Sequence, residues 1–127
     1  MHRQIIHTTD APAAIGPYSQ AVRCGGTVYL SGQIPICPTT QLPVNESAEA
    51  EIHQVFRNLK AVTEAAGGDL SRVAKLNVYL TDFADSPKLN AIMGEYFAAP
   101  YPARSTVRVA GLPQGFRIEV EGVLVLD

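Results

Sequence analysis

The sequence predicts an α+β domain in which one mixed β-sheet carries two helices on the same face. Three observations lead there. Strand-like runs stand at both ends of the chain, two amphipathic stripes of helical period lie between them, and a further strand-like run separates the stripes. The order strands, helix, strand, helix, strands is that of an α+β fold with its helices gathered on one side. A chain of 127 residues with 46% apolar side chains can bury one real core, so residues 1–127 read as a single domain.

The first strand-like run covers residues 4–7. Two more, residues 21–24 and 27–30, flank Gly25 and Gly26, the pattern of a hairpin. Pro35, Pro38 and Pro43 then impose an irregular connection, because proline lacks a donor and restricts the residue before it. Over residues 46–66, Ile52, Val55, Phe56, Leu59 and Val62 recur at spacings of three and four, while Glu49, Glu51 and Lys60 lie off that stripe. Asn45 or Ser47 can cap this helix, acids suit its first turn, and Gly67 and Gly68 supply a left-handed ending.

Residues 73–80 read as a strand with Leu76, Val78 and Leu80 on one face. Ser86 and Pro87 then open a second helix as cap and first-turn proline, and Leu89, Ile92, Met93, Tyr96 and Phe97 form its core stripe. After Pro100 and Pro102 come strands over residues 104–109 and 117–126, joined through Gly111, Pro113 and Gly115. The last strand ends in the unbroken apolar run Val123, Leu124, Val125, Leu126. A solvent-facing sheet would alternate there, so the free face is expected to meet other copies of the chain in a symmetric homo-oligomer.

Charged residues make up 17%, the net charge is −2, and no stretch is strongly basic, so no extended nucleic-acid footprint is expected. The longest apolar run is far below the roughly 18 residues of a membrane span. The start, Met1, His2, Arg3, Gln4, lacks the apolar segment of a secretory signal. Cys24 and Cys37 fit neither a zinc pattern nor a disulfide framework and read as free thiols in a reducing cytoplasm. His2, His7 and His53 are scattered without metal-ligand spacing, so no metal site is expected.

One small anionic ligand needs only one local positive group, and Arg104 in the run Pro102, Ala103, Arg104, Ser105 is a candidate. Its guanidinium is planar, permanently charged and forked, and takes both oxygens of a carboxylate at once. Glu119, in the run Arg117, Ile118, Glu119, Val120, Glu121, is a candidate acid/base. Bland readings stand beside both. Arg104 equally suits a subunit salt bridge, and acids alternating in a strand are commonly a solvated face, with Glu121 free to pair with a neighbouring subunit.

Four segments occur in one register: Gly16, Pro17, Tyr18, Ser19, Gln20; Ser31, Gly32, Gln33, Ile34, Pro35; Pro102, Ala103, Arg104, Ser105; and Ile118, Glu119, Val120, Glu121. Their order and spacing resemble the RidA (YjgF-type) family over almost the whole chain. The resemblance implies a chorismate-mutase-like fold and a homotrimer whose sheets line a central barrel, with ligand clefts between neighbouring subunits. It implies hydrolysis of reactive enamines and imines such as 2-aminoacrylate and 2-aminocrotonate to 2-keto acids and ammonia. No cofactor is required. The implied source of substrate is a pyridoxal-phosphate dehydratase acting on serine or threonine.

By the same resemblance Arg104 holds the substrate carboxylate, Glu119 positions water and moves protons, and backbone groups at Gly32 and Thr106 contact the ligand. Tyr18 walls the cleft, and Ser31 and Asn90 match positions near the pocket. On the residues alone, Tyr18 is equally a packed aromatic and Ser31 a turn residue. Two departures bear on substrate preference: Thr106 stands where cysteine is frequent, and Arg108 where an acid is common. Two other functions remain open on the sequence. The Arg104 cleft could bind 2-keto acids for sensing without turnover, or the chain could be an endoribonuclease or translation inhibitor, a label long attached to the family. Against the last stand the missing paired histidines, basic stripe and aromatic ladder.

Overall fold

A computed structural model describes residues 2–127, leaving Met1 outside. Strands β1 (Gln4–Ile6), β2 (Ala21–Cys24) and β3 (Thr27–Gln33) precede helix α1 (Ala48–Ala65). Strand β4 (Val73–Leu80), helix α2 (Ser86–Tyr96), and strands β5 (Ala103–Arg108) and β6 (Ile118–Val125) complete the chain. They form one six-stranded mixed sheet in the order β1-β2-β3-β6-β4-β5. Only β4 and β5 pair in parallel. The last strand thus threads between β3 and β4, which puts Glu119 near the middle of the sheet and leaves Arg104 on an edge strand.

Alternation decides what each face buries. Val28 and Leu30 on β3, Leu76, Val78 and Leu80 on β4, and Ile118, Val120 and Leu124 on β6 point to one side. They meet the α1 stripe of Ile52, Val55, Phe56, Leu59 and Val62, the α2 stripe of Leu89, Ile92 and Met93, and Phe97 just past the end of α2. Truncating a side chain as fully buried as Phe56 to alanine would cost about 3–5 kcal/mol. Both helices therefore lie on one face, as expected. On the other face Tyr29 is 55% and Val107 45% exposed, and Val123 and Val125 are half-buried.

The structure decides one alternative that the sequence left open and adjusts four readings. Ser47, not Asn45, caps α1, its side chain accepting from the Ala50 N–H at 3.1 Å, and Gly67 alone supplies the left-handed residue after it, at φ +95°. At α2 Asp85 takes the cap position expected of Ser86 but makes no capping bond, because its carboxylate is engaged elsewhere. Strand β3 runs on through Ser31, Gly32 and Gln33, so Ser31 is a strand residue rather than a turn residue. Glu51, off the apolar stripe of α1, is nonetheless 3% exposed.

Candidate active site

Two separate cavities hold the candidate residues other than Thr106. The first forms around Arg104. In the parallel pairing of β5 with β4, Arg104 is in register with Leu76 and so points to the helix side, toward α2. There its Nη1 donates to Asn90 Oδ1 at 2.9 Å and lies 3.4 Å from the Met93 sulfur. Asn90 and Met93, three apart on α2, share the helix face that receives it. Both partners are neutral. Among the described residues no carboxylate pairs with Arg104, so its charge is steadied in position without being neutralised. Asn90, Met93, Gly94, Tyr101, Pro102 and Arg104 line a cavity of about 270 Å³. Thr106, next on the same strand face, has a buried hydroxyl with no hydrogen-bond partner.

The second cavity lies on the opposite face, around Glu119. Between Leu30 and Gln33 the β3–β6 register slips by one residue. The bulge sets Ser31 and Gly32 against Glu121, and such an insertion re-aims the strand locally. The Glu119 carboxylate occupies the space over Gly32: a Cβ there would collide with it, so any larger residue would displace the carboxylate. Tyr18, Ser31, Gly32, Ile34, Pro113 and Glu119 line about 300 Å³ of space. The Ser31 hydroxyl donates to the Ser19 carbonyl, and the Tyr18 hydroxyl accepts from the Ile15 N–H at 3.2 Å, which fixes the loop that carries the tyrosine.

Burial pushes the Glu119 carboxyl above the ordinary carboxylate range, and the negative charge of Glu121, two residues along the same face, adds to the shift. Tyr79, paired with Glu119 across β4 and β6, is raised as well, by burial and then by the charge of Glu121. Asn77 Nδ2 lies 3.4 Å from Glu121 Oε2. Glu119 therefore sits beside one further acid and a phenol, with no cation pairing it among the described residues.

Arg104 and Glu119 do not meet within one chain. Strand β4 separates β5 from β6, and the two side chains leave opposite faces of the sheet. The structure groups Arg104 with Asn90 near Thr106, and Glu119 with Tyr18, Ser31 and Gly32. Sequence reasoning had not singled out Met93, Tyr101, Ile34 or Pro113 as lining residues. Met93 was legible only as a member of an apolar stripe.

A family profile described as Endoribonuclease L-PSP matches residues 8–126. A protein of Dermatophagoides farinae named 2-iminobutanoate/2-iminopropanoate deaminase is 48% identical over 125 residues, covering 98% of each chain. The human protein of the same name is 42% identical over 123 residues, covering 97% of this chain and 90% of that one. Among solved structures, RidA from an Antarctic Psychrobacter superimposes with a TM-score of 0.93 at 49% identity, covering 96% of this chain and 98% of the other. The chain belongs to the RidA family. Family membership extends over both cavities, since the matched region includes Tyr18, Ser31, Gly32, Asn90, Arg104, Thr106 and Glu119.

Proposed function

We propose that this protein is a hydrolytic deaminase that converts 2-imino acids and their enamine tautomers, such as 2-aminoacrylate and 2-aminocrotonate, to 2-keto acids and ammonia. The observation that carries the reading is the pairing of an uncompensated arginine with a carboxyl raised by burial. A 2-imino acid offers what those two groups need: a carboxylate for the Arg104 fork and an electrophilic carbon beside it. Glu119 takes a proton from water as the oxygen attacks C2 of the imine. It returns that proton to nitrogen to give the carbinolamine and then carries the proton of the new hydroxyl to nitrogen as well, so that the C–N bond breaks and ammonia leaves as the carbonyl forms. A carboxyl raised toward the working pH is suited to both transfers. Gly32 and Thr106 offer backbone groups to the ligand, and Tyr18 covers it. The names of the relatives support the same activity.

Because one chain holds the two groups on opposite faces, the working site on this reading is assembled from two copies. Arg104, Asn90 and Thr106 come from one copy; Glu119, Tyr18, Ser31 and Gly32 come from the next. A homotrimer, with its open sheet faces turned inward around a central barrel, satisfies this and covers Tyr29, Val107, Val123 and Val125. The protein acts in the cytoplasm without a cofactor, downstream of pyridoxal-phosphate dehydratases. No helix among the described residues is long and apolar enough to cross a membrane.

The test couples a serine/threonine dehydratase to the protein and follows 2-keto acid formation from the released enamine. Acceleration by wild type but not by Arg104→Ala is expected. Equal acceleration by both would remove Arg104 from the site, and none by either would turn the reading toward a carboxylate-binding protein.

A further inference from the structure

A third group of charged residues is absent from both cavities and lies at the root of the strand that bears Glu119. Arg117, immediately before β6, places its guanidinium on Asp85 in a fork: Nε donates to Oδ2 and Nη2 to Oδ1, each at 2.8 Å. Its backbone N–H donates to Glu51 Oε1, also at 2.8 Å, and its carbonyl accepts from the Thr81 N–H at 3.1 Å. Asp85 and Glu51 are 2% and 3% exposed, whereas the Arg117 side chain is 44% exposed. One residue is thus held at its side chain, its amide and its carbonyl by three elements: α1, the turn before α2, and the end of β4.

We propose that Glu51 and Asp85 are positioning residues for Glu119, acting through Arg117; the inference rests on the acid/base role given to Glu119 above. Glu119 follows Arg117 by two residues, so rotation or sliding of β6 at this root is passed directly to the carboxylate. Its carboxylate lies directly over Gly32, in the space a Cβ there would enter, so a shift of β6 changes how it sits against β3. Buried polar groups of this kind are costly unless fully paired, and a bidentate pair is the most directional that side chains offer. Strand propensity alone would tolerate a slip. The clamp fixes how deep into its cavity Glu119 is presented.

A merely structural role would lower stability and leave catalysis in the folded molecules unchanged. The positioning role predicts more. In Asp85→Asn, and in Glu51→Met, which removes the acceptor for the Arg117 N–H, kcat falls about tenfold for a misplaced proton-transfer group, while KM, set by Arg104, stays within about twofold. Glu51→Gln keeps an acceptor oxygen and restores most of the rate. The acid limb of the pH–rate profile moves down in Asp85→Asn and Glu51→Met, because a loosened Glu119 is better hydrated. The titratable groups facing Glu119, namely Glu121 on its strand, Tyr79 on β4 and Tyr18 across the cavity, are intact in all three variants.

The kinetics are measured on full-length protein below the melting temperature of each variant, with Glu119→Gln as reference. Loss of kcat with an unmoved KM, a lowered acid limb and rescue by Glu51→Gln is the expected result. Wild-type kcat and acid limb in Asp85→Asn and Glu51→Met, alongside an inactive Glu119→Gln, would overturn the positioning role and leave the site intact. An active Glu119→Gln would instead overturn the functional reading beneath it.

Discussion

Arg104 lies in β5 and Arg117 immediately precedes β6, two strands of the same sheet, yet their surroundings differ in the one respect that separates a ligand site from a structural one. Arg117 has a carboxylate of its own, Asp85, in bidentate contact at 2.8 Å and 2% exposed. Arg104 has an amide oxygen and a sulfur. The first arrangement closes its charge balance inside the chain; the second holds the fork still and leaves the charge for something else. The carboxylates repeat the contrast. Burial raises both Glu51 and Glu119, and each has a neighbouring acid that adds to the rise, but only Glu51 is opposed, by the Arg117 amide and charge. Paired groups in the core and unpaired groups at a cavity are how a fold divides stability from function.

Removing each member of the contrast should have opposite signatures. The largest effect is expected for Glu119→Gln: a fall of about 10²–10⁴ in kcat, typical of losing a general base, with the affinity for a 2-keto acid product largely kept. The same substitution should raise Tm slightly at neutral pH. Glu119 titrates higher in the native state than in the unfolded chain. The native state therefore binds more protons in that window, and stability is lost as pH rises through it. The glutamine variant escapes that loss, and melting curves at acidic and neutral pH would show it.

Next comes Arg104→Ala, with a drop of about 10²–10³ in kcat/KM for removal of a charged two-point contact and a Tm within a degree or so of wild type. Asp85→Ala inverts the pattern in stability, costing about 1–3 kcal/mol, below the figure for a fully buried pair because Arg117 is partly solvated. Denaturant titration would check it. The smallest change is expected for Tyr18→Phe, a few-fold in kcat/KM, since its hydroxyl serves the Ile15 amide and its ring walls the cavity. A Tyr18→Phe loss as large as that of Arg104→Ala would mean that the hydroxyl itself touches the reacting atoms.

The fold was largely legible because period is a direct record of burial. The stripes of α1 and α2 and the alternation in β4 and β6 each state which side faces the core, and β2 and β4 occupy the residues expected of them. The order of strands was not legible: that β6 threads between β3 and β4 depends on long-range pairing, which leaves no local pattern. At the site, Arg104 and Glu119 stood out as residue types, but nothing in their spacing says that they leave opposite faces of the sheet. Glu51 shows the limit most plainly. Its place off the apolar stripe reads as a wet acid, and only the tertiary arrival of the Arg117 amide makes a buried carboxylate tolerable there. Similarly, Asp85 precedes a helix like a cap but spends its oxygens on Arg117.

The central claim is that Arg104 and Glu119 act together from two copies of the chain. Co-refolding Arg104→Ala with Glu119→Gln, each nearly inactive alone, and assaying keto-acid formation in the dehydratase-coupled reaction tests it most directly. Random assortment around a closed ring gives both intact groups in about a quarter of the clefts, so activity near a quarter of wild type is the result predicted. A mixture as inactive as its parents, with subunit exchange verified, would contradict the composite site.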